Sequence, residues 1–294
     1  MYAIETKNLT KYYGKARGII DLNLKVEEGD IFGFIGPNGA GKSTTIRILL
    51  SMIKASSGEA FVFGKDVSKE SKKVLSEIGY MPSEAQFYSQ MRVGDIIKLA
   101  ADLHHADCSA EAGKLCDRFK LDTKKKVEDL SLGNRKKVSI VCALQHNPRL
   151  AILDEPTSGL DPLMQKEFFE VLKEKNKNGT TIFFSSHVLP EIQNHCKNAA
   201  IIREGKLIKV ATVDELTKTS AKVITLNGID DLKLINDEKF RINMANVEKI
   251  SNGVRFLYRG DVKEIVRALS MENFSDITIT EPSLDEMFMH FYQS

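Results

Sequence analysis

Residues 36–44 read Gly-Pro-Asn-Gly-Ala-Gly-Lys-Ser-Thr, a run that meets the pattern G-x-x-x-x-G-K-[ST]. No other stretch constrains the fold as tightly. Before it, Asp30-Ile31-Phe32-Gly33-Phe34-Ile35 is apolar and short enough for a buried strand. After it, Thr44 to Leu50 spaces its apolar residues for a helix. Strand, glycine loop and helix together converge backbone N–H groups and a helix N-terminus on one point, which suits an anion. Lys42 would reach the β- and γ-phosphates of a nucleoside triphosphate, and the Ser43 hydroxyl would ligate Mg²⁺. A chance Gly-rich turn ending in lysine would not carry both flanks. The run Gly36, Pro37, Asn38, Gly39, Ala40, Gly41, Lys42, Ser43 and Thr44 is therefore read as a nucleotide-phosphate site.

At 294 residues the chain can bury a large core and hold two domains. A net charge of +2 with 28% charged residues does not call for a nucleic-acid partner. Lys124-Lys125-Lys126 and Arg135-Lys136-Lys137 read as solvated faces. Cys108, Cys116, Cys142 and Cys196 form no C-x-x-C pair and no metal-ligand spacing, as expected of reduced thiols in a cytosolic protein. Residues 1–5 carry no apolar signal segment. No window reaches the roughly 18 apolar residues of a membrane span. Work at a membrane would need another chain.

Taken in order, Ala3 to Leu9 alternates loosely as a strand, and Leu22 to Val26 alternates more cleanly before Glu28-Gly29-Asp30 turns into the phosphate-loop strand. An aromatic in Tyr12-Tyr13-Gly14 could stack on an adenine ring, although tyrosines in such places are more often packing or surface residues. Gly58 to Gly64 and Ile78 to Pro82 read as strands, the second running into a loop over residues 83–88. From Val93 to about Asn147 the pattern is mostly helical. Ser131 is placed as the N-cap of the run that follows it, and a hydroxyl with the Gly133 N–H at a helix start also makes an anion site.

Arg149 to Pro156 is an apolar strand ending in two carboxylates. Asp154 at its tip can hold Mg²⁺ opposite Ser43, and Glu155, pointing differently, can orient and deprotonate a water. Asp161 before Pro162 is a strong helix start. Thr180 to His187 is one more buried strand with a histidine at its tip, placed to donate a hydrogen bond to a transferring phosphoryl group.

The phosphate loop, Leu130-Ser131-Leu132-Gly133, Leu153-Asp154-Glu155-Pro156, Ser158-Gly159-Leu160-Asp161 and Ser186-His187, in this order, resemble the ATP-binding subunit of an ABC transporter. The resemblance covers about residues 1–220 and implies an α/β fold, the P-loop ABC ATPase: a mixed sheet core, an antiparallel β subdomain and a helical subdomain near 88–148. It further implies ATP and Mg²⁺, a second nucleotide-binding subunit, an integral membrane permease as partner, and a peripheral position on the cytoplasmic face of the membrane. No nucleic acid is expected. Two subunits would sandwich two ATP molecules head to tail, each nucleotide meeting one phosphate loop and the other subunit's Ser131 and Gly133. By the same resemblance Tyr13 stacks on adenine, Glu155 is the catalytic base, His187 contacts the γ-phosphate and Asp161 makes a contact across the dimer. Two departures are visible: Leu132 and Asn134 stand in the usual L-S-G-G-Q signature, and Ser83 occupies the slot where the family places a metal-touching glutamine. Ser83, Glu84 and Gln86 compete for that contact, and Gln86 carries the family's amide.

L-S-L-G, M-P-S-E and the C-terminal Pro282-Ser283-Leu284-Asp285-Glu286 resemble the exporter branch called ABC-2 type, whose members move drugs, antimicrobial or cytolytic peptides, polysaccharides or ions outward. Ser283 with Glu286 is also a plain capping box. Residues 221–294 carry no nucleotide motif and read as a small α+β appendage: a strand at Val223–Leu226, a hairpin around Asn252-Gly253, a helix from Asp261 to Leu269, a strand at Ile277–Ile279 and a helix from Leu284 to Tyr292. The competing functions are a soluble ABC ATPase acting on ribosomes or nucleic acid and a nucleotide-binding regulator without turnover. The single phosphate loop and the short span from Lys42 to Asp154 disfavour the first, and Glu155 with His187 disfavours the second.

Overall fold

The apolar stretches that alternate least are the ones buried on both faces. In the computed structural model, which describes residues 1–218, 221–229 and 236–282, they form the centre of a parallel sheet. The chain folds as two units, Met1–Val213 and Asp214 onward.

The first unit opens with β1 (Tyr2–Tyr13), β2 (Ala16–Leu22), β3 (Lys25–Glu27) and β4 (Ile31–Ile35), followed by α1 (Lys42–Leu49), β5 (Ser57–Val62), β6 (Lys65–Asp66) and α2 (Ser71–Leu75). It continues through β7 (Ile78–Met81), then α3 (Val93–Leu103), α4 (Ser109–Arg118) and α5 (Leu132–Leu144). It ends with β8 (Leu150–Asp154), α6 (Pro162–Lys177), β9 (Thr181–Ser186), α7 (Leu189–His195), β10 (Asn198–Arg203) and β11 (Lys206–Thr212).

Two sheets result. The larger has the order β11-β10-β4-β9-β8-β7, parallel throughout except for the edge strand β11. The smaller is antiparallel, β2-β1-β5-β6, with β3 also on β1. Every residue of β8 and β9 is buried, as a parallel strand under helices must be. Both sheets and α1 share one core, in which Ile4, Phe32, Ile46, Leu49, Val62, Ile152 and Phe183 are members. Phe183 lies under two rings, 6.0 Å from Phe32 and 5.4 Å from Phe34. Burial of each such side chain is worth about 1.5–3 kcal/mol, so this core fixes β4 against β9.

The expected strand over Leu22–Val26 is instead the end of β2 and the start of β3. Asp21 has φ 48°, and the Asn23 side chain donates to Asp21 O and accepts from Asn8 N, so local polar bonds break the ladder there.

The second unit contains α8 (Val213–Lys218), whose first residue lies at the division, then β12 (Lys222–Asn227), α9 (Glu238–Arg241), β13 (Met244–Ile250), β14 (Gly253–Tyr258), α10 (Val262–Leu269) and β15 (Asp276–Thr280). Its sheet order is β13-β14-β12-β15, with all neighbours antiparallel. Two interleaved β-α-β units of this kind are the ferredoxin-like arrangement. Ile224, Leu226, Val254 and Phe256 bury one sheet face together with Ile265 and Leu269 of α10. The expected helix over Leu284–Tyr292 lies outside the described residues. Among the described residues no helix is long and apolar enough to cross a membrane.

Candidate nucleotide site

Adjacent parallel strands end at one edge of a sheet, and ligands of such sheets bind there. Here β9 runs between β4 and β8, with Ile35 opposite Ser186 and Asp154 opposite Ser185. Phosphate loop, carboxylates and histidine therefore meet although they are far apart in sequence. Gly36 N–H donates to Ser186 O at 3.2 Å, which ties the start of the loop to the strand bearing His187.

The loop needs its glycines for two different reasons. Gly39 and Gly41 have φ 78° and 111°, a region that favours glycine. At Gly36 the constraint is space, because a Cβ there would stand 2.3 Å from Ile202 O. The loop borders a cavity of about 290 Å³ lined by Tyr13, Arg17, Gly18, Ser83 and Glu155 together with residues 38–44. Lys42 is 5% exposed and donates to Gly36 O at 2.6 Å and Pro37 O at 3.2 Å. Its Nζ also lies 3.1 Å from Glu155 Oε1, a charge contact without hydrogen-bond alignment. On the other side of that carboxylate, His187 Nδ1 is 2.7 Å from Oε2. Facing a carboxylate, Nδ1 carries the proton, which leaves Nε2 as the nitrogen free to meet a ligand.

Asp154 is buried at the end of β8, and Ser185 Oγ donates to its Oδ1 at 2.6 Å. The same Oγ accepts from Glu155 N–H at 3.0 Å. The Tyr80 phenol is raised from its ordinary value by burial first and by the Asp154 carboxylate second. Glu191 joins a loop to a strand end, accepting 2.6 Å hydrogen bonds from Thr157 Oγ1 after β8 and from Ser186 Oγ at the end of β9.

The remaining expected residues fall in distinct places. Tyr13 lines the cavity mouth, with Lys11 Nζ 5.5 Å from its ring centroid. Ser131 caps α5, accepting from Asn134 N–H at 3.3 Å, and Asp161 caps α6, accepting from Met164 N–H at 3.0 Å. Gly133 lies against the loop after Glu155, since a Cβ on it would be 2.9 Å from Gly159 O. Leu132, one of the two residues that depart from the family signature, is 69% exposed.

Gln86 stands apart from the other expected residues: it lines a separate apolar hollow with Phe87, Tyr88, Ile96 and Leu99, whereas Ser83 lines the phosphate-loop cavity.

Lys136 is a correction. The basic run 135–137 reads as solvated, yet Lys136 is 3% exposed and donates to Ser83 O at 2.6 Å and to Glu155 O at 2.9 Å. Burial pulls its ammonium below the ordinary lysine value, and the carboxylates of Asp154, Glu155 and Glu84 oppose that. Sequence reasoning also missed Ser185, Glu191 and Arg17, the last paired with Glu204 at 2.8 Å. None of these carries a motif. Only the strand ends that flank them hinted at their position.

The cradle fits a triphosphate: positive-φ glycines, the N-terminus of an eight-residue helix and a buried lysine face one cavity. Among the described residues no group of three or more His, Cys, Asp or Glu side chains could cage a metal. Ser43 and Asp154 nevertheless supply the oxygen donors that suit Mg²⁺, an ion held by few protein ligands when phosphates complete its shell.

Known proteins resemble this chain. A family model described as ABC transporter matches residues 19–158. The bacitracin transport ATP-binding protein BcrA of Bacillus licheniformis is 36% identical, over 97% of this chain and 96% of its own length. The linearmycin resistance ATP-binding protein LnrL of Bacillus subtilis (strain 168) is 27% identical, over 98% of this chain and 97% of its own. A solved structure of the ATP-binding subunit of an ABC transporter aligns with a TM-score of 0.69 at 28% identity, over 74% of this chain and 92% of that one. A relative as similar as the first, over nearly the full length of both chains, places this protein in the ABC transporter family as one of its ATP-binding, ATP-hydrolysing subunits.

Proposed function

We propose that this chain is the motor of an exporter, docked to an integral membrane permease at the cytoplasmic face of the membrane and paired with a second nucleotide-binding subunit. The observation that carries the reading is Glu155 gripped between Lys42 and His187 at the mouth of the phosphate loop. A triphosphate entering the loop competes for the Lys42 ammonium and draws it off the carboxylate. Glu155 is then left with His187 alone, free to accept a proton from a water aligned on the γ-phosphate. As the imidazolium, His187 donates from Nε2–H to the phosphoryl group and from Nδ1–H to Glu155. Ser43 and Asp154 would hold Mg²⁺, which would supply positive charge to offset that of the phosphates. Tyr13 stacks on the base at the cavity mouth.

Ser131 and Gly133 of one subunit meet the nucleotide of the other, and Asp161 makes a contact across the same interface. ATP thereby closes the pair, and hydrolysis releases it. For cargo, the bacitracin-transport and linearmycin-resistance relatives support an antimicrobial peptide or drug moved outward.

The test is a pull-down of tagged Glu155→Gln protein from native membranes with ATP and Mg²⁺. Removing the base blocks water activation while leaving binding intact, so the closed pair should persist. A co-purifying multi-span membrane protein supports the motor reading. Recovery of ribosomes or nucleic acid alone overturns it.

A further inference from the structure

A buried lysine is expensive unless its charge is met, and one that hydrogen-bonds two separate loops constrains both. Lys136 lies on α5, five residues after the Ser131 cap. Its Nζ donates to carbonyls that belong to different segments of the site: Ser83 O at 2.6 Å, just beyond β7, and Glu155 O at 2.9 Å, just beyond β8.

The second of these carbonyls belongs to a strained residue. Glu155 has φ 49°, in the left-handed region that a residue with a Cβ seldom adopts. It also precedes Pro156, whose ring favours an extended conformation in the residue before it. Such a conformation persists only where the surroundings impose it. Here the imposing bonds are visible. Glu155 N–H donates to Ser185 Oγ at 3.0 Å, and Glu155 O accepts from Lys136 and, at 3.3 Å, from Ser158 N–H. The strain aims the carboxylate at Lys42 and His187.

We propose that Lys136 is the positioning residue of Glu155: one buried ammonium spans the Glu155 and Ser83 carbonyls, so that the base and the loop after β7 follow the position of helix α5. This rests on the reading of Glu155 as the base. It gives the helix that starts with Ser131 and Gly133 a mechanical hold on the water-activating residue of its own subunit. A displacement of α5 by an ångström stretches both bonds, and misplacement on that scale can cost about a hundredfold in rate. Engagement of the α5 N-terminus would then be felt at Glu155 with no intervening element.

The test is ATPase kinetics of the full chain carrying Lys136→Met, an apolar side chain of similar length, and Lys136→Gln, which is too short to span both carbonyls. Wild type and Glu155→Gln are measured beside them. Lys136→Met should lower kcat roughly tenfold or more, and Lys136→Gln about threefold or more, with MgATP affinity by titration unchanged in both. In the Glu155→Gln background neither change should lower the residual rate further, because both act through one group. If Lys136→Met does not fold, the same comparison with Lys136→Gln decides. A wild-type kcat in either folded variant overturns the proposal while the reading of the site stands. Equal losses in kcat and affinity, or additive losses with Glu155→Gln, overturn it too, since a mere structural strut would give that pattern. If Glu155→Gln itself hydrolyses as wild type does, the reading of the base fails, and the role of Lys136 fails with it.

Discussion

Nζ of Lys42 lies 3.1 Å from Oε1 of Glu155, so the loop's lysine and the proposed base neutralise one another across the loop. The contact has two consequences. It holds a mostly buried carboxylate with its charge met, and it makes release of that carboxylate depend on a competing anion. A nucleotide entering the loop would therefore both occupy the site and uncover the proposed base.

Lys42→Met removes the cation from the loop. Hydrogen bonds to charged groups are worth about 1.5–3 kcal/mol, so the affinity for ATP should fall roughly 10- to 100-fold. Titration with a fluorescent ATP analogue measures this. An unchanged affinity would show that Lys42 serves the Gly36 and Pro37 carbonyls and not the phosphates.

Ser185→Ala deletes a hydroxyl that donates to Asp154 Oδ1 and accepts from Glu155 N–H, in a side chain with no exposed surface. The Glu155 N–H and the buried Asp154 oxygen left unpaired should cost about 1–3 kcal/mol in urea unfolding. Asp154 also loses the bond that orients it. The Mg²⁺ concentration for half-maximal ATPase should rise several-fold, whereas a purely structural serine would change stability alone.

What the sequence disclosed was local or rigidly spaced. The phosphate loop, the caps Ser131 and Asp161, and the tips of β8 and β9 were legible because each rests on one short segment with its own chemistry. The hairpin at Asn252-Gly253 was legible for the same reason. The order of the strands was not legible, because which strand neighbours β4 is decided by non-local packing such as Phe183 against Phe32 and Phe34. Lys136 was hidden by its neighbours: three basic residues in a row look solvated, and only helix geometry turns the middle one inward. Gln86 shows the converse. Its amide suits a metal contact, but the residue lines a hollow separate from the phosphate-loop cavity.

Glu191→Ala should loosen two parts of the site at once. Its carboxylate accepts from Thr157 Oγ1, on the loop after Glu155, and from Ser186 Oγ, at the end of β9 just before His187, and both residues are buried. The loss should lower kcat about tenfold with little change in ATP affinity, because the phosphate loop is not touched. Steady-state kinetics with a parallel binding titration checks it. Weaker binding with unchanged turnover would remove Glu191 from the positioning role.

Stability should fall as the solution is acidified from about pH 6.5 toward pH 4. Burial pushes His146, stacked 3.6 Å from the His104 ring, down to about 4, and burial likewise pushes His195, stacked 3.5 Å from Phe169, down to about 4. Both are neutral in the folded chain where the unfolded chain would protonate them. The unfolded state therefore binds more protons in that window, and unfolding free energy rises with pH through it. Each such proton adds at most about 1.4 kcal/mol per pH unit. Asp30, whose carboxyl is raised by burial, works in the opposite direction at the acidic end. Urea unfolding at pH 7, 6, 5 and 4.5 measures the slope, and His195→Phe should flatten it by one histidine's share while leaving nucleotide affinity unchanged. An unaltered slope in that variant would mean that His195 is protonated equally in both states, and that stacking on Phe169 does not exclude its charged form.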